Sequence, residues 1–179
     1  MILPIAQLGQ PVLRHGSAEV PADEIPTPEF QKFLDDMHET LRAASGAGLA
    51  APQVFSARRV FLAAILPAPA DAEPPGVEFF INPRLTPLSD QRALAWEGCL
   101  SFIELLVLVP RGRRLRVDYL DRHGRPRALE LEGFPARVVQ HEYDHLDGVL
   151  TLDRAASTRD IVKTSELEDV LRYRELGGD

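Results

Sequence analysis

Two histidines four residues apart, with a glutamate beside the first, stand in the segment Gln140-His141-Glu142-Tyr143-Asp144-His145. On an α-helix, residues i and i+4 share a face, so His141 and His145 can direct two imidazoles at one ion. Glu142 lies roughly 100° further round the helix, where a carboxylate can reach a water activated by that ion. Catalytic sites of this kind take three protein ligands and keep a position open, whereas structural sites close with four. The third ligand has to come from elsewhere, and the chain's one cysteine, Cys99, in Trp96-Glu97-Gly98-Cys99-Leu100-Ser101, can supply a thiolate. A lone cysteine is more often an inert buried side chain; it is the combination with His-Glu-x-x-His that makes Cys99 a ligand candidate. Gln53 closes the stretch Gly46-Ala47-Gly48-Leu49-Ala50-Ala51-Pro52-Gln53, and its amide can donate a hydrogen bond to a developing oxyanion. The glycines permit close backbone approach and unusual dihedrals. Without Gly-Lys-Ser/Thr the stretch is not a phosphate loop.

These residues need elements to carry them. Phe134, Val138, Val139 and Leu146 give an apolar flank, so the spacing predicts the key helix over about 134–147, stopped by Gly148. Thr27-Pro28 reads as a cap followed by proline at the first helical position, and Phe30, Phe33, Leu34, Met37 and Leu41 predict an amphipathic helix over 28–43. A short turn is expected near 11–14 and a buried strand at 59–66. Residues 67–76 form a proline-rich loop, followed by strands at 77–82 and about 84–88, separated by Asn82-Pro83. After the apolar run at 105–110, Leu115, Val117 and Tyr119 alternate with Arg114, Arg116 and Asp118 as a half-buried strand. It turns at Asp121–Gly124 and returns at 128–131. A short strand is expected at 149–152. Ser165 and Glu168 fit a capping box for a last helix over 166–175, with Leu167, Val170 and Leu171 packing inward. His15, His38 and His123 read as solvated or turn residues without a metal role.

The chain has 179 residues, 45% of them hydrophobic, enough for one domain with a real core spanning 1–179. A net charge of −7 argues against a broad nucleic-acid surface, and the arginines at 111, 113, 114 and 116 read as strand positions facing solvent. One cysteine allows no internal disulfide, no apolar run is long enough to span a bilayer, and the N-terminus has no signal-peptide pattern. A cytoplasmic protein is the expected reading.

Three separated motifs agree in order and spacing. Gly46-Ala47-Gly48-Leu49-Ala50-Ala51-Pro52-Gln53, Glu97-Gly98-Cys99-Leu100-Ser101 and Gln140-His141-Glu142-x-x-His145 resemble the signature motifs of peptide deformylases, and the likeness extends over about 2–155. The resemblance implies an α+β fold, with antiparallel β-sheets packed around a central metal-binding helix, an N-terminal amphipathic helix and a C-terminal helix. It implies hydrolysis of the N-formyl group from N-formylmethionyl nascent peptides, releasing formate during translation-coupled maturation. Carried over, Cys99, His141 and His145 would bind one divalent ion, ferrous iron in the cell, with zinc, nickel or cobalt as substitutes. Glu142 would be general base and then general acid. Gln53 and the Leu100 backbone N–H would stabilise the oxyanion, and Gly46 and Gly48 would let the substrate approach closely. Phe134 and Val138 would wall a methionine pocket. Glu97 or Asp144 would orient an imidazole or pair with Arg111. The implied partners are the formyl-methionyl nascent chain and, transiently, the ribosome, with no specific DNA, no membrane, and a monomer or weak dimer.

The segment Phe102–Leu108 departs from the family, which often has a proline at the place of Ile103 and an arginine at that of Leu106. Leu105 and Leu106 are therefore also readable as an exposed apolar patch for a partner. Two rival readings remain. One is a zinc peptidase using Glu166 or Glu168 as third ligand; the other is a metal-binding interaction module that has lost its activity.

Overall fold

The computed structural model describes residues 1–66 and 76–175. The proline-rich loop lies outside them, except for Gly76, which begins a strand. Among the described residues, five strands form an antiparallel sheet in the order β1 (Gly48–Ala50), β2 (Val60–Leu66), β3 (Gly76–Pro87), β6 (Arg114–Leu120) and β7 (Pro126–Glu132). A second antiparallel sheet orders β4 (Arg92–Glu97), β5 (Leu105–Gly112) and β8 (Ile161–Lys163). Helix α1 spans Pro28–Ala43, α2 spans Phe134–Leu146 and α3 spans Leu167–Glu175.

The larger sheet is covered on both faces, which explains why β2 reads as an unbroken apolar run. Side chains alternate across a strand. Val60 and Leu62 therefore point toward α1 and join Phe30, Leu34, Met37 and Leu41 in one core. Phe61 and Ala63 point the other way, to Phe80, Val117, Val139 and Leu146 beneath α2. Phe61 and Phe80 stack with ring centroids 4.7 Å apart, and each such buried side chain contributes roughly 1.5–3 kcal/mol. Helix α1 begins where expected: the Thr27 hydroxyl accepts the Phe30 N–H at 3.3 Å, and Pro28 needs no donor at the first turn.

Several sequence expectations need correction. The strands expected at 77–82 and 84–88 are one twelve-residue strand. Asn82 takes a left-handed φ of 50°, and the ladder shifts register between Ile81 and Arg84, so β3 bends without breaking. The Asn82 side chain anchors the bend on the Val20 backbone at 2.8 and 2.9 Å. The strand expected at 149–152 is absent; Thr151–Arg154 is a 3-10 turn, because the Asp153 carboxylate bonds back to the Leu150 N–H at 2.8 Å. Ser165 does not cap α3: it lies in the 3-10 turn Thr164–Glu166, and its hydroxyl bonds the neighbouring Glu166. Helix α3 buries no residue fully, and Leu171 is exposed. Strand β4 had no sequence forecast; its pattern of exposed Arg92, Ala93 and Leu94 gives little alternation to read. Leu105 and Leu106 are half-buried and pair with β8, so they form no exposed patch; the exposed apolar side chain of the turn before them is Ile103.

Candidate active site

Helix α2 places His141, Glu142 and His145 inside, with relative exposures of 8%, 4% and 1%. Pro135 sits in its first turn, and Gly148, at a φ of 72°, ends the turn beyond it. Cys99 follows β4 by two residues and is buried. One ligand atom each from Cys99, His141 and His145 lies within 4.8 Å of the others. The His145 Nε2 stands 3.3 Å from the Cys99 Sγ, and the two imidazoles lie edge to face at 5.1 Å. Glu166, in the turn before α3, and Glu168, on α3, are exposed and outside this group.

The surroundings suit a cation. Burial, then the charges of His141 and Arg111, hold His145 well below its ordinary pKa, so it is the neutral imidazole a metal needs. Burial also opposes charge on His141, but its hydrogen bonds to Cys99 and Glu97 raise it to about 10; an ion binding there has to displace that proton. Burial pushes Glu142 up to about 7, and its Oε2 has no hydrogen-bond partner. A buried carboxylate oxygen left unpartnered beside three soft and borderline donors is what an ion with its water would complete.

Glu97 organises the next layer. Its Oε1 accepts from Arg111 Nε at 3.0 Å and Arg137 Nη1 at 2.6 Å. Its Oε2 accepts from Arg111 Nη2 at 3.0 Å and meets His141 Nδ1 at 3.0 Å. Burial alone would raise this carboxylate, but the His141 and Arg111 donors outweigh it and bring it down to about 2. Both sequence alternatives therefore occur together: Glu97 orients His141, and Arg111 pairs with Glu97 and with Asp144. Asp144 is buried and also takes Arg154 at 2.6 Å.

Gln53 comes from the 3-10 turn Ala51–Val54. Its Oε1 accepts the Ala50 N–H at 2.9 Å, which turns Nε2 toward Ser101 Oγ at 3.2 Å and Cys99 Sγ at 3.6 Å. The Leu100 carbonyl accepts from Gln7, and the N-terminal segment closes over this loop through Ala6 N–H to Gln53 O at 2.7 Å. A cleft of about 350 Å³ opens onto the group, lined by Gly46, Gly48, Leu100, Phe134, Val138 and Glu142 among others. Val138 is buried in its wall, whereas Phe134 is 63% exposed at its rim and packs in no core.

The glycines differ from expectation in one respect. Neither Gly46 nor Gly48 has a positive φ; what they lack is room. A Cβ on Gly48 would lie 2.4 Å from Glu142 Oε1, and one on Gly46 would lie 2.9 Å from Leu41 and Leu100 methyls. Sequence reasoning also missed Arg137 and Arg154. Arg137 precedes His141 by one helical turn on the same face, and that spacing was the available signal.

A cysteine two residues beyond a strand, facing a His-Glu-x-x-His helix with an amide donor beside it, defines a metal-dependent hydrolase. Residues 2–160 match the family model described as polypeptide deformylase. Peptide deformylase 2 of Nostoc sp. is 39% identical over 172 residues, 95% of each chain. Peptide deformylase 1 of Nitrosomonas europaea is 43% identical, covering 84% of this chain and 85% of that one. Among solved structures, the Met-Ala-Ser-bound class I type b peptide deformylase of Acinetobacter baumannii superposes with a TM-score of 0.79 at 36% identity, covering 86% of this chain and 98% of that one. The Thermotoga maritima peptide deformylase gives 0.78 at 36%, covering 88% and 99%. The chain belongs to the peptide deformylase family, metal-dependent hydrolases that remove the formyl group from nascent peptides.

Proposed function

We propose that Cys99, His141 and His145 hold one divalent ion, ferrous iron in the cell, and that the cleft beside it takes the methionine of an N-formylmethionyl chain. The observation that carries this reading is the closeness of the three ligand atoms, within 4.8 Å, beside a buried Glu142 carboxylate with a free oxygen. The bound ion would supply Lewis acidity, making water nucleophilic near neutral pH and polarising the formyl oxygen. Glu142 removes a proton from the attacking water and delivers it to the leaving amine; a group near 7 can do both. Gln53 Nε2 and the Leu100 N–H donate to the oxygen as it becomes an oxyanion. Gly46 and Gly48 keep the cleft floor low, and Val138 and Phe134 flank the methionine side chain. The thiolate of Cys99 cancels one unit of the ion's charge and is the oxidisable ligand. Zinc binds such donors more tightly than ferrous iron, so isolated protein can carry the wrong metal; nickel or cobalt would substitute.

The whole chain, 1–179, is read as one catalytic domain working in the cytoplasm as a monomer or weak dimer, in transient contact with the ribosome. Among the described residues no helix is long and apolar enough to cross a membrane. The test is formate release from formyl-Met-Ala-Ser by anaerobically iron-loaded protein, beside Glu142→Ala. Release by the parent alone supports the reading. No release, with one ion bound per chain and the fold intact, refutes it.

A further inference from the structure

We infer that Arg137 is a positioning residue that sets the distance between the two histidines and the cysteine of the centre. Its guanidinium leaves α2 one turn before His141 and reaches three acceptors on the smaller sheet. Nη1 donates to Glu97 Oε1 at 2.6 Å and to the Val109 carbonyl at 3.0 Å, and Nη2 donates to the Ala93 carbonyl. Ala93 and Glu97 lie on β4, and Val109 on β5, paired with Ala95 in the register. One side chain thus ties the helix carrying His141 and His145 to the strand that delivers Cys99 two residues later.

The same side chain completes Glu97. That carboxylate has four acceptor sites, and all four are filled: two by Arg111, one by His141 and one by Arg137. Without Arg137, Oε1 keeps one donor, and the Arg111 fork alone, borne on β5, places the oxygen that meets His141 Nδ1, with no bond left from α2's first turns to Glu97. The side chain is 11% exposed, so water does not readily replace the lost donor. Arg111 cannot serve in its place, because it is also engaged with Asp144 further along α2. Ligand distances in such centres tolerate about 0.2 Å, so a slack tether between helix and strand acts directly on binding.

This inference rests on the metal-centre reading, but its readout does not require deformylation. Zinc affinity is measured by chelator competition for the parent, Arg137→Met and Arg137→Lys, with the visible absorption of the cobalt-loaded forms, kcat and KM measured separately, and thermal unfolding of each. The expected result is a ~10–100-fold weaker zinc affinity in Arg137→Met. Its cobalt bands are shifted and its kcat lowered at nearly parental KM. Arg137→Lys, which keeps the charge but cannot reach all three acceptors at once, is expected between the two. Parental affinity and parental cobalt bands in Arg137→Met overturn the inference, as does a rise in KM alone, which would make Arg137 a cleft wall only. If Arg137→Met does not fold, parental affinity and bands in Arg137→Lys overturn it. A parent that binds no stoichiometric ion sinks the metal-centre reading itself, a separate and recognisable result.

Discussion

Gly48→Ala offers the sharpest check on how the general base is placed. The added methyl would stand 2.4 Å from Glu142 Oε1 and 2.6 Å from its Cδ and Cγ, where ordinary contact begins at 3.4 Å. The carboxylate must therefore retreat by about 1 Å, the difference between 3.4 and 2.4 Å. It is buried at 4% exposure on a helix packed against both sheets, so the open direction left to it is the cleft it lines, where it would leave its seat beside the ligand group. A displacement of about 1 Å of a reacting group can cost ~100-fold in rate. Glu142 is not among the proposed ligands, so the ion should stay. Gly46→Ala is the internal comparison: its methyl meets the end methyls of Leu41 and Leu100 at 2.9 Å and the Gly48 carbonyl at an ordinary 3.5 Å, so a few tenths of an ångström of give in two leucine ends, that of Leu100 half-buried, accommodates it without touching Glu142. The assay is formate release under saturating peptide, with metal content and thermal unfolding of each variant. Gly48→Ala should lose about two orders of magnitude in kcat with metal retained, and Gly46→Ala far less. A Gly48→Ala enzyme within a few-fold of the parent, or one no worse than Gly46→Ala, would refute the argument that Gly48 exists to seat Glu142.

Other outcomes follow from the same geometry. Gln53→Ala should lower kcat by roughly 100- to 1,000-fold, the usual cost of one oxyanion donor, with zinc still bound; an unchanged kcat removes Gln53 from the reaction. Cys99→Ser should fail to retain zinc through gel filtration, and retention of a stoichiometric ion would favour a peptidase-type ligand set. Glu97 is held at about 2, below its ordinary 4.5, so its contribution to stability is present above pH 4.5 and lost as pH falls toward 2. Glu97→Gln should therefore cost the metal-free chain about 3 kcal/mol at pH 7, from about 1.4 kcal/mol per pKa unit. The gap should close near pH 2; urea unfolding at pH 7, 4 and 2.5 measures it, and a gap independent of pH would contradict the assignment.

Local patterns were legible because they depend on neighbours in the chain. The i, i+4 spacing alone puts His141 and His145 on one face, Thr27-Pro28 alone starts a helix, and the alternation in β6 alone says which side is wet. The proline at 83 was misread for a related reason: it signals a local break, but the partner strands β2 and β6 hold the two halves of β3 in one ladder. Leu105 and Leu106 looked exposed because β8 lies more than fifty residues further on.

What tertiary structure decided is what lies between segments distant in sequence. Cys99 and Gln53 are 46 residues apart, yet Gln53 Nε2 stands 3.6 Å from the sulfur, because β4 and the turn after β1 bring both to one cleft. That Gly48 must be glycine follows from Glu142, ninety-four positions later, occupying the space of its methyl, and no torsion announces it. That Glu97 is anionic depends on His141 from α2 and Arg111 from β5 meeting at one carboxylate, and that its acceptor sites are all filled depends on Arg137 as well. The sequence by itself determined which chemical groups are available and which face of its own helix or strand each one takes, since those are set by bond geometry within a few residues. The distances on which the chemistry depends were decided only by the packing of sheets and helices, since only the folded chain closes them.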